Sequence, residues 1–430
     1  MHDDHFHCAG FPPGATVKPG GSAERKDTFL RTAQKLPGTS PGRIPVPPDH
    51  LEFYSVADDL ALLEKVQNAK RAGSAKLESL GKTNSGNDLL VLKLGKNLAP
   101  DSAQPRILLN GGLHAREWLG PTYLCLVAEW LVTNYPKGAA SKPLEKLAQD
   151  LIDNNQIWII PLCNPDGHEY TITTDRFFRK NSPSGDASFR ASPGDKPGKI
   201  TSAPESVDLN RNFATKNWKS VVSSGQGEFS TKADDNGFVG AKPGSAVEVR
   251  LLQQMIDSTE FDLAVDHHTF GCWILFPYGD DVGVDRQDAR FQAFAGCMQR
   301  QLLKKAGKFF TTQPGTPDPW DISKISHFYS TLWKKTGLAD VPPLETRIPG
   351  SISDYVIYAS EKPAKKRKTV AFSMELPPTH HPGTPGFALP ETLIRPAFQQ
   401  IIGTTLALIK NATNAAPTDA DFSPFDVVAP

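Results

Sequence analysis

The sequence has no run of the ~20 continuous apolar residues that a bilayer-spanning helix needs, and its start, MHDDHFHCAG, lacks the apolar stretch of a secretion signal. It has no surplus of either charge, since lysine plus arginine and aspartate plus glutamate number 47 each in 430 residues. That balance speaks against nucleic acid as a partner, whose binders carry a concentrated basic face. The compact basic run KPAKKRK at 362–368 reads as a solvated loop. Cysteine is scarce and odd in number: Cys8, Cys125, Cys163, Cys272 and Cys297 are widely spaced, so they do not settle a redox compartment. Cys125 and Cys163 sit in or beside apolar runs, as buried free thiols do. With a mean hydropathy of −0.36, the chain reads as an ordinary soluble globular protein with a large core.

Residues 1–50 are rich in Pro, Gly and Ser and carry no sustained apolar periodicity, so they read as an irregular arm. Its cluster of His2, His5, His7 and Cys8 would bind a metal only adventitiously. From Tyr54 the apolar spacing of VADDLALLEKVQNAKRAG turns helical. KLESLGKTNSG and NDLLVLKLG then suggest a hairpin, RILLN a strand, GGLHAREW a glycine-rich loop, and PTYLCLVAEWLVTNY an amphipathic helix with Pro121 near its first turn. Strands and helices alternate through IDNNQIWIIPLCN, FDLAVDHHTF and TVAFSMEL to a final helix in LPETLIRPAFQQIIGTTLALIKNAT. This pattern predicts a single α/β domain over 51–415, with a mixed, mostly parallel twisted sheet covered by helices on both faces. Residues 416–430 read as a tail, and the polar stretch 177–207 as a long loop of the functional kind. In such sheets ligands sit at the carboxyl ends of strands, near the point where strand order reverses.

Three motifs follow strand-like runs and would meet there. In HARE, His114 and Glu117 leave a strand through two glycines and enter a helix, where an i, i+3 spacing turns both side chains to one point. Two ligands on a short spacer need a third from elsewhere to make a catalytic zinc site with an open position for water. Taken alone, HxxE is explained nearly as well by a glutamate favoured at a helix start. The third ligand has its candidate in LAVDHHTF, at an expected edge of the sheet, where spacing leaves His267 and His268 both open. Glu375 follows the apolar run TVAFSM, a place where a carboxylate is costly unless paired or useful; beside a metal-bound water it would serve as general base. In VDLNRNF, Arg211 between Asn210 and Asn212 offers an always-charged planar fork suited to a carboxylate.

Together these pieces resemble the zinc carboxypeptidase family of the pancreatic carboxypeptidase A type. The resemblance covers residues 52–412 through HARE, NPDGHEYT, DRFFRKN, VDLNRNF, HHTFGCWILFPYG, PGSISDY and FSMEL, in that order. It implies one zinc ion per chain held by His114, Glu117 and His268, the last chosen over His267 by its distance from FPYG. It further implies Glu375 as general base, Asn210 and Arg211 as clamp for a substrate C-terminal carboxylate, and Arg179 as the first arginine of the substrate-binding segment. Arg116 is a site-facing cation on the same grounds. The implied activity is hydrolysis of the C-terminal peptide bond, in a secreted or periplasmic setting, by an enzyme with no nucleic-acid or membrane partner. The family's inhibitory prodomain has no counterpart in residues 1–50, as in a mature form or a member without one.

Two positions depart from that pattern. Ser182 stands where the family has a second arginine that stabilises the oxyanion, a donor whose loss costs roughly 100-fold or more in turnover. Lys180, Arg190 or Arg116 are its possible stand-ins. The family's mobile tyrosine falls on Glu345, or with an offset of one on Thr346. These losses motivate an alternative activity, an amidase of N-acyl amino acids or other small amides, and a third alternative is a binding protein without catalysis. Pocket positions fall on Leu275, Gly279, Ile352 or Ser353, and Ser373, with no acid at the floor except through Asp354 if the alignment slips by one. That composition predicts a preference for apolar or aromatic C-terminal residues over basic ones. Asn411 in Asn-Ala-Thr is a glycan acceptor if the protein is secreted.

Overall fold

The apolar runs that read as strands assemble into one sheet. A computed structural model describes residues 74–173, 176–181, 206–271, 273–275, 278–281, 289–305, 347–377, 387 and 394–425. The arm 1–50, the helix expected from Tyr54, Cys8, Cys272, Ser182, Arg190, Glu345 and Thr346 lie outside the described residues. The strands are β1 (Ser74–Lys82), β2 (Asp88–Gly95), β3 (Arg106–Gly111), β4 (Gln156–Ile160), β5 (Leu263–Thr269), β6 (Trp273–Leu275) and β7 (Val370–Leu376), in the spatial order β1-β2-β4-β3-β5-β7-β6. The expected hairpin is β1 and β2, paired antiparallel with Lys82 opposite Asp88. The central four strands run parallel and the flanking pairs antiparallel. Every residue of β3, β4, β5 and β7 is buried, as parallel strands covered on both faces require. The strand order reverses at β3, which has β4 on one side and β5 on the other.

The described helices of more than one turn are α1 (Leu119–Asn134), α2 (Pro143–Asn154), α3 (Pro165–Thr173), α4 (Trp218–Ser224), α5 (Val247–Ser258), α6 (Ala289–Lys305), α7 (Ile352–Glu361) and α8 (Ile394–Lys410), followed by the short α9 (Asp419–Phe422). Period-two geometry sorts the strand side chains between two helical layers. Toward α1, α6 and α8 point the His267 ring, 5.5 Å from Tyr123, and the Phe372 ring, 5.9 Å from Phe291. Toward α7 points Ser373, whose hydroxyl is 3.2 Å from that of Ser353. Asp266 is paired with Ser373 and His268 with Glu375, so all four share this second face. None of the described helices is long and apolar enough to cross a membrane.

Four local expectations change. α1 is not amphipathic: its buried residues run continuously from Leu119 to Ala128 and resume at Trp130, because it lies between the sheet and a second helical layer of α2 and α8. β5 is an interior strand between β3 and β7, not an edge, since the antiparallel β6 closes that side. α1 begins at Leu119, so His114 and Glu117 stand in the turn before the helix. The C-terminal residues pack as far as Phe425, with Phe422 and Phe425 buried in the main core and the Phe422 ring 6.5 Å from Phe294. The basic run 362–368 is a largely exposed loop, and Cys125, Cys163 and Cys297 are buried free thiols.

Helix α1 approaches the sheet closely enough to need glycine. A Cβ at Gly120 would lie 2.9 Å from the His267 carbonyl oxygen, inside the distance real Cβ atoms keep from backbone. Replacing Gly120 with alanine should therefore cost ~1–3 kcal/mol in a urea unfolding curve, the range for overpacked cores. A change within ~0.5 kcal/mol, the range of a neutral surface substitution, would show that helix and strand separate without strain.

Candidate metal centre and substrate site

The HARE spacing delivers its two side chains through a turn. Glu117 N–H donates to the His114 carbonyl at 3.2 Å, and Ala115 N–H donates to the Arg179 carbonyl at 2.9 Å. Asn164, from the NPDG motif, donates to the carbonyls of both Leu113 and Lys180 at 3.1 Å, so three motifs brace one another through backbone. Within this brace His114 Nδ1 is 2.8 Å from Glu117 Oε1. From the end of β5, His268 Nδ1 comes within 2.9 Å of Glu117 Oε2 and 3.1 Å of His114 Nδ1. All three residues are at most 2% exposed. They are the His, Glu and His of the sequence expectation, and His267 instead turns to the opposite face.

Two imidazole Nδ1 atoms this close to one another and to one carboxylate need positive charge between them. Burial opposes a charged His268 ring, yet Asp266 and Glu117 outweigh it and hold its pKa well above the ordinary value. In place of the His268 proton, a divalent cation at this point would neutralise the buried Glu117 carboxylate and accept both Nδ1 lone pairs. Two imidazoles and one carboxylate are the protein donor set of a catalytic zinc site. The residues present fit the ion that the sequence implies.

Glu375 stands beside this cluster, on β7 and in register with His268. Burial, and after it the charge of Glu117, push its carboxyl up to about 8. Behind His114 lies Asp208, with Oδ1 3.2 Å from Nε2. Asp208 Oδ2 accepts from both Nε and Nη2 of Arg179 at 2.9 Å. Burial alone would raise the Asp208 carboxyl, but Arg179, His114 and Arg211 together hold it well below its ordinary range. Behind His268 lies Asp266, with Oδ2 2.6 Å from Nε2. Sequence reasoning missed both carboxylates. The signal for Asp266 was its position two residues before His268 in a strand, and for Asp208 its place two residues before Asn210 in VDLNRNF.

The expected substrate residues are gathered nearby with commitments the sequence did not show. Arg211, in a single 3-10 turn at Leu209–Arg211, gives Nε to the Glu228 carbonyl at 2.6 Å and Nη1 to the Asn210 carbonyl at 3.0 Å. Its Nη2 has no partner among the described residues. Gly350 of PGSISDY rests on this segment; a Cβ there would meet the Arg211 carbonyl at 2.4 Å, and its φ is +71°. Asn210 accepts from Ile352 N–H at 2.9 Å, and its Nδ2 lies 3.1 Å from His268 Nε2. Arg179 is spent on Asp208, and Lys180 donates to the Ala233 carbonyl at 2.6 Å, which removes it as the stand-in for the arginine missing at position 182. The Arg116 guanidinium lies over the Phe387 ring, 4.2 Å from its centroid. Asp354 is fully buried and accepts from the backbone amides of Gly279 and Asp280, at 2.8 and 3.1 Å, so it is not available to pair a basic substrate side chain. The Asn411 amide donates to the Ala407 and Asp421 carbonyls, at 2.9 and 3.2 Å.

Comparison with known proteins agrees with this geometry. The family model for zinc carboxypeptidase matches residues 60–402, and the chain belongs to that family. It is a metallocarboxypeptidase, a hydrolase of peptide bonds. A metallocarboxypeptidase A from Trichophyton rubrum is 26% identical over 368 residues, covering 83% of this chain and 71% of that protein. An inactive metallocarboxypeptidase from Arthroderma gypseum is 30% identical over 215 residues, which are 48% of this chain and 32% of that one. The crystal structure of carboxypeptidase A from Helicoverpa armigera shares the fold, with a TM-score of 0.64 at 21% identity, covering 92% of this chain and 81% of that one.

The Asp208–Arg179 pair is fully desolvated, so removing one partner strands a charge. Arg179→Met should lower unfolding free energy by ~3–5 kcal/mol. A loss below ~1 kcal/mol, the value of an exposed pair, would show that the pair is hydrated in solution.

Proposed function

We propose that residues 51–415 form one catalytic domain that removes single residues from the C-terminus of peptides, with one zinc ion held by His114, Glu117 and His268. The observation that carries this is the convergence of three buried donors, 2.8 to 3.1 Å apart, on the sheet face that also bears Glu375. Zinc, when bound, supplies a Lewis acid that polarises a carbonyl and acidifies a water. Glu375 takes a proton from the attacking water and returns it to the leaving amine nitrogen as the peptide C–N bond breaks. The unengaged Nη2 of Arg211 holds the substrate's terminal carboxylate, which an internal peptide bond lacks, and this makes the enzyme an exopeptidase. The secreted or periplasmic setting belongs to the same proposal.

The side-chain pocket follows from the same contacts. Ser353 and Ser373 bond to each other at 3.2 Å, and Asp354 is tied to backbone amides, so no free acid awaits lysine or arginine. Apolar and aromatic C-terminal residues are therefore preferred. Because the Asn210 oxygen is committed to Ile352 N–H, an amidase acting on N-acyl amino acids is the second proposal, in which Arg211 grips the carboxylate.

Glu375→Gln should keep about one zinc per chain while turnover falls by ~100- to 10,000-fold, the usual contribution of a general base. Unchanged turnover would assign the reaction to another group. A chelator should abolish hydrolysis and added zinc restore it; a chain that carries no zinc, or is indifferent to chelation, overturns the metal assignment. Peptides ending in phenylalanine should be cleaved with higher kcat/KM than those ending in arginine, and the reverse order would place an acid in the pocket. Faster hydrolysis of N-acyl phenylalanine than of a longer peptide with the same end would favour the amidase.

A further inference from the structure

The proposed reaction leaves one buried carboxylate of the site without a task. Asp266 is 2% exposed, on the same face of β5 as His268, with Oδ2 2.6 Å from His268 Nε2. Its Oδ1 accepts a 2.6 Å bond from the amide of Asn110, the residue paired with it on β3. The carboxylate is thus fixed from two sides, by its own strand and by the neighbouring one. The Asn210 amide, 3.1 Å from the same Nε2, competes for that nitrogen. An amide nitrogen needs a bare Nε2 to donate to, whereas a carboxylate needs a protonated one. The shorter distance to Asp266, 2.6 Å against 3.1 Å, decides for the protonated form. The proton is then on Nε2 and the Nδ1 lone pair points at Glu117 and His114.

We infer that Asp266 is a positioning residue for the metal: it fixes the tautomer and ring orientation of His268 and strengthens Nδ1 as a donor. His114 has a different arrangement behind it. Asp208 stands 3.2 Å from its Nε2 but shares its charge with two nitrogens of Arg179. Among the described residues no arginine or lysine pairs with Asp266, whose other hydrogen bond comes from the neutral Asn110 amide. The centre is therefore asymmetric, with one histidine backed by an undiluted carboxylate and the other by a neutralised one.

This inference rests on the proposed zinc site, and its test separates the two. The full chain is stripped of metal and titrated with zinc against a chromophoric competitor, with the cobalt(II) absorption spectrum and the melting temperature of the stripped protein as further readouts. Asp266→Asn keeps the shape and an acceptor for Nε2–H but removes the charge. It should weaken zinc binding by roughly 10- to 100-fold and alter the cobalt spectrum, with little change in the melting temperature of the stripped protein. Zinc affinity within about threefold of the parent overturns the inference, because a second carboxylate that matters to the metal costs more than that. Should this variant fail to fold, Asn110→Ala releases the second anchor and is read in the same way; an unchanged zinc affinity there overturns it as well. A parent chain that binds no zinc overturns the metal site itself, a different result from a parent that binds and a variant that binds equally.

Discussion

The in-register parallel pairing of β5 with β7 is the constraint on which the rest depends. Val265 lies beside Phe372, Asp266 beside Ser373, His267 beside Met374 and His268 beside Glu375. Because side chains alternate, one face of this pair is apolar apart from a neutral histidine and the other is polar. A slip of one residue would carry Glu375 into the layer of Phe291 and Phe294 and take it away from His268. The register is held from both sides, by aromatic packing against α6 and by α7, whose Ser353 reaches Ser373 and whose first residue, Ile352, bonds to Asn210. The same alternation settles which of two adjacent histidines belongs to the site. His267 is turned toward Tyr123, where burial lowers its pKa to about 4 and keeps the ring neutral.

Much of this was legible in the sequence. The hairpin and the order of the described strands and helices followed from period and spacing, while the grouping of His114, Glu117 and His268 came from the family resemblance, since spacing alone left His267 and His268 both open. What was not legible shares a physical reason: it depends on neighbours distant in the chain. β5 reads like an edge strand locally, and only the return of β7 and β6 makes it interior. α1 shows an apolar stripe in sequence, yet its remaining faces are covered by α2 and α8. Asn210 and Lys180 carry groups suited to a substrate, but the residues they meet, Ile352 with His268 and the Ala233 carbonyl, lie 53 to 142 positions away. The helix start was misplaced for a local reason, since a turn and a first helical turn both bring residues i and i+3 together.

The electrostatics of the centre follow from its burial. Each carboxyl removed from water costs several kcal/mol unless something compensates it. Arg179 compensates Asp208 with two bonds, and hydrogen bonds from Asn110 and His268 compensate Asp266. Glu117 is served by both histidines and by Thr269 N–H. The fold has thus arranged partners for every carboxyl that must stay ionised behind or within the metal cluster. Glu375 differs in direction: burial, and after it the charge of Glu117, outweigh His268 and Arg179 and push its carboxyl up to about 8.

That division of labour bears on how a substrate would be recognised under the proposed function. Arg179 is consumed by Asp208, Lys180 by a backbone carbonyl, and Arg116 by the face of Phe387. Asn210 spends its side-chain oxygen on Ile352 N–H. Among these described cations, Nη2 of Arg211 is the group open to a ligand, its other two nitrogens being fixed by the Glu228 and Asn210 carbonyls. A guanidinium held at two corners loses little freedom when it binds at the third. One rigid cation, placed on the segment that also carries Asp208, ties recognition of the terminal carboxylate to the residues that orient His114. A substrate gripped there meets a centre whose geometry the same short stretch, VDLNRNF, has already set.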